Sequence, residues 1–429
     1  MDEIRLGAIL LEGGIVDETA LERCLAIQAL AGGARPIGQI LVEQGLLTHA
    51  ALQQVLDLQR GRWEARAASV GADSVDSGCL LTAARANGAS EMVVSEGRSV
   101  RIRVGTDWRE LTGHVLRGPE VWDFVRATMG SEVLEELADH HFVVRPIEVE
   151  GVAWGSATAF RQFEGVAVRV TLVGKEALTP DQAGLPGAFV ELVRGGRGLV
   201  LVVGQRGIGR ADVLAPLVQV AASDPQQYVV VVDDEPVALP ATGALVVRRR
   251  YGISTASRAE TLRSVVREDP DVLVIGDAGS PEAFDIALRA AEGGRMVIAY
   301  LDATSATAAL IRILNFYAAY DLTRVRRSLA AVLRAVLVRH MLPDVNHLGT
   351  VAATELLVVD DAVREVVRGG DLGDISLLLR TDGSRCGHSL DRSMLDLVTA
   401  GLLRLEDAFA RAEEKAWMLE RTRELQPTP

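Results

Sequence analysis

The sequence predicts an α/β protein built around a doubly wound parallel sheet, and three observations support this. From Gly198 onward, short Val-rich runs alternate with helical stretches, which is typical of buried parallel strands joined by crossover helices. Before them, a mixed pattern of helices and strands predicts a small α+β domain. At the N-terminus, a twofold repeat of glycines and leucines predicts an all-helical domain.

Length and composition exclude several classes of protein. The 429 residues are 48% hydrophobic and 24% charged, which is typical of a globular chain with several cores. The formal net charge of −13 argues against a partner nucleic acid. We expect neither a membrane span nor a signal peptide, because no apolar run has the necessary length or placement. Three scattered cysteines predict a reducing, cytoplasmic setting and no zinc or other metal site.

Changes in sequence pattern predict five regions. They are a helical repeat domain at 1–62, a linker at 63–77, an α+β domain at 78–175, a doubly wound domain at 176–360 and a C-terminal helical region at 361–429. The linker is assigned because periodicity gives way to small polar residues there. In the last region, Cys386 and His388 are expected to be ordinary surface or loop residues.

The N-terminal repeat follows one template: a glycine, a second glycine seven positions later, then leucines four apart and a closing Gln. Its positions are Arg5, Gly7, Leu10, Gly14 and Gln28 in the first copy, and Pro36, Gly38, Leu41, Gly45 and Gln59 in the second. Each copy predicts a helix, a glycine turn and a second helix, which Asp17 or Thr48 caps. In the second copy, Pro36 lies at the position equivalent to Arg5, and Arg35 lies one residue before it. In the simplest interpretation, the leucines only pack two helical hairpins together.

The α+β domain is predicted element by element. The pattern favours a helix over residues 80–86 and a helix over 121–137. Strands are expected at 91–95, 100–104, 141–150, 153–160 and 166–172. The first two strands are joined by the turn at 96–98.

The doubly wound domain begins with a P-loop frame, G-x-x-x-x-G-K-[ST], directly after the predicted strand 199–203. Further strands are predicted at 228–232, 245–249, 272–275 and 296–300. A working P-loop cradles phosphates with backbone N–H groups, reaches them with a Lys and holds Mg²⁺ with a hydroxyl. Here Gly204, Gly207 and Gly209 are kept, but Arg210 replaces the Lys and Ala211 the hydroxyl. Pro216 is expected to kink the following helix.

Nearly the whole chain resembles the traffic ATPases of type II secretion and type IV pili, the PilT-, PilB- and GspE-like proteins. The match is strongest at 262–276, which follows the Walker B pattern L-R-x-x-L-R-x-D-P-D-x-x-x-x-G of that family. The resemblance implies a RecA-like P-loop domain after a PAS-like α+β domain. It also implies that the catalytic positions are degenerate, and these are Arg210, Ala211, Asp234, Asp277, Arg295 and Asp302. Two arginines of the family's α+β domain correspond to Ser156 and Glu164.

The N-terminal repeat resembles the form of the family's N-terminal domain that binds cyclic di-GMP, with the pattern R-L-G-x-x-L-L-x-x-G. The resemblance implies a site made of Arg5, Gly7, Leu10, Gly14, Gln28, Arg35, Gly38, Leu41, Gly45 and Gln59. Glycines would let the backbone approach the ligand and leucines would give guanine an apolar floor.

These resemblances imply a catalytically inactive ATPase homologue that serves as a cyclic di-GMP-responsive regulatory or scaffold subunit. It is expected to form a homo- or hetero-oligomeric ring, a hexamer, with related ATPases, and to contact platform proteins of a pilus or secretion machine at the inner membrane. ATP or ADP could still bind at Gly204, Gly207, Gly209 and Arg210 without efficient hydrolysis, or these glycines could serve only the fold. The alternatives are an active but atypical hexameric ATPase, and an assembly module with no small ligand.

Overall fold

The structure is a computed structural model. It describes residues 6–30, 37–52, 54–55, 58, 76–105, 107–149, 153–162, 165–174, 177–194, 196–204, 209–234, 237, 243–250, 257–346, 350–381 and 385–425. In these ranges no helix combines the length and the apolar character that a membrane crossing requires.

The N-terminal repeat folds into two matching turns. Helices α1 (Leu6–Glu12), α2 (Glu18–Leu30) and α3 (Ile37–Glu43) are followed by helical residues at 49–52. Gly14 and Gly45, with φ of +61° and +67°, end α1 and α3 in the left-handed conformation that favours glycine. After each glycine the chain turns back in the same way.

The two predicted N-caps are confirmed. The Asp17 carboxylate accepts the Ala20 N–H at 2.7 Å, and the Thr48 hydroxyl accepts the Ala51 N–H at 3.1 Å. Each side chain satisfies a backbone donor that the first turn of a helix leaves exposed. The repeat in the sequence is therefore a repeat in local structure.

The α+β domain is one antiparallel sheet covered on one face by helices. Its strands are β1 (Glu91–Ser95), β2 (Ser99–Val104), β3 (Asp107–Val115), β4 (Phe142–Val149), β5 (Ala153–Gln162) and β6 (Gly165–Gly174), in the order β3-β2-β1-β6-β5-β4. Its helices are α4 (Ser77–Ala86), α5 (Gly118–Met129) and α6 (Glu132–Asp139). The single helix predicted over 121–137 was wrong, because Gly130, with φ +95°, ends α5 and separates the two.

The large sheet has eight strands in the order β14-β13-β12-β7-β11-β10-β8-β9. Six are parallel: β7 (Gly198–Gly204), β8 (Tyr228–Val232), β9 (Leu245–Arg249), β10 (Val272–Ile275), β11 (Met296–Asp302) and β12 (Leu333–Pro343). The antiparallel strands β13 (Thr350–Val358) and β14 (Gly387–His388) extend one side. All residues of β7 are buried because helices cover both faces of the sheet.

The helices around this sheet alternate with its strands. They are α7 (Gly187–Arg194), α8 (Arg210–Ala221), α9 (Arg258–Arg267), α10 (Pro281–Glu292), α11 (Ala306–Leu314) and α12 (Leu322–Val332). Helix α8 continues through Pro216, which lies inside it. Nine of the twelve residues of α8 are buried, including Leu214 and Leu217, so tertiary packing stabilises the helix where proline would weaken it.

The C-terminal region consists of α13 (Asp361–Gly369), α14 (Asp374–Arg380), α15 (Leu390–Thr399), α16 (Leu405–Arg411) and α17 (Lys415–Leu425). Its purely helical prediction needs a correction, since β14 joins the large sheet. The expectation that Cys386 and His388 are surface or loop residues holds only in part. Cys386 lies in a turn but is buried, and His388 lies on β14, where one of its ring nitrogens is 3.1 Å from the Thr354 hydroxyl.

A buried carboxylic acid lies where β13 meets the start of α11. Glu355 Oε1 accepts the Ala306 N–H at 2.6 Å, and its residue is 6% exposed. Burial raises the pKa of Glu355 to about 7, although the Ala306 N–H opposes the shift. Glu355 therefore loses its proton near neutral pH in the folded chain and near pH 4 in the unfolded one.

We predict that Glu355→Gln stabilises the protein at pH 8, because the amide oxygen can still accept the Ala306 N–H without carrying a charge. A raised pKa contributes stability below the unfolded pKa that is lost as the pH rises through about 7. The variant should gain about 2–3 kcal/mol at pH 8, and the gain should shrink towards pH 4. Urea unfolding of both proteins from pH 4 to 8 measures this, and a pH-independent difference would contradict it.

Candidate functional site

The P-loop frame lies between the end of β7 and the start of α8. Gly204 ends the strand, Gly209 precedes the helix, and Gly207 lies outside the described residues. Gly209 has φ +70°, and an added Cβ would lie 2.5 Å from the Asp212 carboxylate. Glycine is therefore required at this position, as the P-loop frame predicts.

Arg210, at the position of the P-loop Lys, is bound by carboxylates of its own chain. Its Nη2 donates to Asp233 Oδ1 at 2.8 Å and to Asp234 Oδ1 at 3.0 Å. The Arg210 side chain is 15% exposed and that of Asp233 is 3% exposed. The guanidinium also lies 5.6 Å from the centre of the Tyr300 ring, within the range of a cation–π interaction.

The topology of the sheet brings these groups together. Asp233 and Asp234 follow the carboxyl end of β8, and parallel strands place all their carboxyl ends at one edge. Gly276 follows the neighbouring strand β10, and an added Cβ there would lie 2.0 Å from Asp233 Cγ. The Walker B-like glycine thus makes room for the Asp233 side chain.

Asp277, at the position of the Walker B Glu, belongs to the same network. Its carboxylate forms an ion pair with Arg258 and accepts the Gly279 N–H at 2.8 Å. Arg258 also lies 3.7 Å from Asp234 Oδ2. We call Arg210, Asp233, Asp234, Arg258 and Asp277 the internal ion network.

The electrostatics are consistent with this pairing. Burial disfavours the charged form of Asp234, but a hydrogen bond with Asp233 and the charges of Arg210 and Arg258 hold its pKa below the usual value. One turn into α8, burial raises the pKa of Asp212, which the charges of Arg339 and Arg85 lower only in part. A carboxylate thus lies at the helix N-terminus where a P-loop receives phosphate.

The remaining predicted positions fall at two ends of the sheet. Asp302 ends β11 beside Gly204, and its carboxylate accepts the Tyr300 hydroxyl at 3.2 Å. Arg295 precedes the same strand, so it lies at the opposite edge, where it pairs with Asp269. The structure therefore brings together Arg210, Asp234 and Asp277, with Asp302 nearby, and leaves Arg295 apart.

Four residues of the site had not been predicted. The sequence does give a signal for two of them. Asp233 is an acidic residue directly after a buried strand, and Asp212 is an acidic residue in the first turn of the P-loop helix. Arg250 and Arg258 flank residues 251–256, which lie outside the described part, and the sequence gives no signal for their partners. Arg250 Nη2 donates to Ser156 Oγ of the α+β domain at 3.2 Å.

Magnesium ATP does not fit the side chains at this site. Ala211 supplies no hydroxyl for the metal, and the guanidinium of Arg210 is already bound by two carboxylates. A triphosphate would meet the carboxylates of Asp233 and Asp234 without the Lys that usually reaches it. Within the described ranges, no cluster of three or more His, Cys, Asp or Glu side chains is suited to a metal ion.

The N-terminal positions are only partly described. Arg5, Arg35 and Gln59 lie outside the described residues, and Gln28 lies on α2. Gly7 and Gly38 lie on α1 and α3, and Gly14 and Gly45 at the turns. Leu10 and Leu41 are fully buried in the core of this domain, so as placed they do not form the predicted floor for guanine.

We predict that Asp233→Asn lowers the free energy of unfolding by about 2–3 kcal/mol, because it removes a buried charge that Arg210 needs. Asp269→Asn is the matched control, since Asp269 also pairs with an arginine but its side chain is 81% exposed. Its effect should stay below about 1 kcal/mol. Chemical denaturation measures both, and equal effects would contradict a stabilising role for the internal ion network.

Comparison with known proteins identifies the family. The family described as type II/IV secretion system protein matches residues 148–388. The type IV pilus retraction ATPase PilT of Pseudomonas aeruginosa is 28% identical over 336 residues, which cover 78% of this chain and 97% of that protein. The type IV pilus ATPase PilU of the same organism is 25% identical over 76% of this chain and 86% of its own.

Solved structures agree with this assignment. The crystal structure of the pilus retraction motor PilT with bound ADP has a TM-score of 0.66 and 26% identity, and the match covers 79% of this chain and 97% of that one. The Legionella pneumophila ATPase DotB, with a TM-score of 0.64 and 19% identity over 77% and 93% of the two chains, shares the fold. The family match spans more than half of the sequence, and this protein belongs to the type II/IV secretion system family of traffic ATPases.

Proposed function

We propose that this protein is a catalytically inactive member of its family that regulates or scaffolds a type IV pilus or type II secretion machine. The internal ion network is the observation that carries the proposal. Arg210 donates to Asp233 at 2.8 Å and to Asp234 at 3.0 Å, so the cation at the P-loop Lys position is neutralised within the chain. Its charge is then no longer available to a phosphate.

Several groups needed for phosphoryl transfer are missing together. Ala211 replaces the residue whose hydroxyl would bind the metal, and Asp302 replaces a His of the family. The carboxylate of Asp277 pairs with Arg258. Losing one positioned electrostatic group typically lowers a rate by about 10²–10³-fold. Such losses do not simply add, but a site lacking several should turn over at the background rate.

We predict no release of phosphate from ATP above background by the purified protein with Mg²⁺. The double variant Arg210→Lys, Ala211→Ser restores the P-loop pair but leaves Asp302 and the surrounding carboxylates, so it should remain inactive. A phosphate-release assay with a PilT-type ATPase as positive control measures this. Robust turnover by the unmodified protein would instead support the alternative of an active but atypical ATPase.

We further propose that the N-terminal repeat binds cyclic di-GMP. The equivalent geometry of its two turns, with positive φ at Gly14 and Gly45, supports a site with two similar halves. Arg5, Arg35, Gln28 and Gln59 would supply polar contacts to phosphates and base edges. Because Leu10 and Leu41 are buried, the glycines and polar side chains would provide the contacts.

We predict that the full chain binds cyclic di-GMP, at a Kd in the micromolar range or about −8 kcal/mol. Arg5→Ala should weaken binding by about 10-fold or more, since a hydrogen bond to a charged group contributes about 1.5–3 kcal/mol. Arg23→Ala removes an exposed arginine of the same domain and is the control. If calorimetry detects no binding, or if Arg5→Ala binds as the parent does, the repeat is only a packing module.

The partners follow from the family. We propose that the chain joins a ring with itself or with active traffic ATPases, and that platform proteins place it at the inner membrane. The extent of the match supports this, since 97% of the PilT chain is covered. A scaffold subunit would occupy a position in such a ring without hydrolysing ATP.

A further inference from the structure

The α+β domain touches the edge of the large sheet that carries the internal ion network. Arg250, directly after β9, donates to Ser156 Oγ on β5 at 3.2 Å. Ser156 is 7% exposed although it lies on the face of its sheet opposite the helices, and its hydroxyl is within hydrogen-bond distance of Arg250. The hydrogen bond with Arg250 offsets the cost of burying that hydroxyl.

Arg250 also lies beside the acidic pair of the network, because Val232 and Arg249 pair in the ladder of β8 and β9 and the Asp233 N–H donates to the Arg249 carbonyl at 3.2 Å. Burial lowers the pKa of the Arg250 guanidinium, while the charges of Asp234 and Asp233 raise it and the charge of Arg145 lowers it. The guanidinium is therefore attracted by the carboxylates that bind Arg210. Its position joins the network to the α+β domain.

A further contact lies along the same boundary. The turn at Gly105 packs closely on the first residue of β13, because an added Cβ would lie 2.5 Å from Thr350. It involves groups of this chain alone.

We propose that Arg250 holds the α+β domain against the nucleotide-site edge in the same way with or without nucleotide, so that this chain is a subunit of fixed shape. In a nucleotide-driven switch, phosphates and Mg²⁺ supply the charges that order the moving element. Here Asp233 and Asp234 supply the negative charge permanently. We call Arg250, Ser156, Asp233 and Asp234 the Arg250 latch. The inference rests on the proposed loss of catalysis, which it extends to the shape of the subunit.

Amide hydrogen exchange on the full chain tests the latch at both of its sides, β5 (Ala153–Gln162) and β9 (Leu245–Arg249). Magnesium ATP at millimolar concentration should leave the exchange of both strands unchanged. Arg250→Ala should raise exchange in both by about 10-fold, the effect of losing one hydrogen bond to a charged group. Ser156→Ala, a smaller change that keeps the arginine, should act on both strands in the same direction.

Arg249→Ala is the matched control, because Arg249 pairs with Glu268 of the large domain and not with Ser156. It should affect β9 and leave β5 unchanged. Either of two results would overturn the latch: exchange in both strands that falls on adding ATP, or Arg250→Ala and Ser156→Ala variants that leave β5 as protected as the control does.

Phosphate release measured on the same samples separates this proposal from the proposed inactivity. Turnover with unchanged exchange would contradict the inactivity and support the latch. Exchange that responds to ATP without turnover would contradict the latch alone.

Discussion

The site depends on one interaction, the binding of the Arg210 guanidinium by Asp233 and Asp234. A lysine at this position ends in a compact ammonium that can reach a phosphate, whereas a planar guanidinium presents several donors that suit two carboxylates. The Asp233 side chain is 3% exposed, so the negative charge needs a partner inside the protein. In the proposed function, Arg210 therefore connects β8 to the start of α8, and the P-loop frame has a structural role.

The surrounding sequence is consistent with such a joint. Gly276 leaves room for Asp233, Arg258 pairs with Asp277, and Tyr300 lies beside the Arg210 guanidinium. Gly276 and Asp277, at glycine and acid positions of the family frame, thus take part in packing and charge pairing within this chain. The parallel sheet still gathers these groups at its carboxyl edge, because that placement follows from topology and not from catalysis.

Much of the fold could be predicted, because its signals are local. Val-rich buried strands, the caps at Asp17 and Thr48 and the glycine turns are each visible in a few neighbouring residues. The P-loop substitutions at Arg210 and Ala211 are equally plain. The break between α5 and α6 was missed because a continuous apolar pattern concealed the glycine that ends the first helix.

The partners in the site could not be predicted, because they depend on which strand ends become neighbours. Asp233 meets Arg210 only because β8 and β7 share one edge of the sheet, and Arg295 lies at the other edge although the sequence frame grouped it with Asp302. The burial of Leu10 and Leu41 likewise depends on how the two repeats pack on each other. Spacing indicates that residues belong to a motif, but it does not say which of them face a ligand.

The most direct test of the account is a crystal structure of the protein grown with millimolar magnesium and a non-hydrolysable ATP analogue. The account predicts that the Arg210 guanidinium stays bound to Asp233 and Asp234, and that no triphosphate lies between Gly204 and α8. An analogue bound there, with Arg210 turned away from both carboxylates and towards its phosphates, would contradict it.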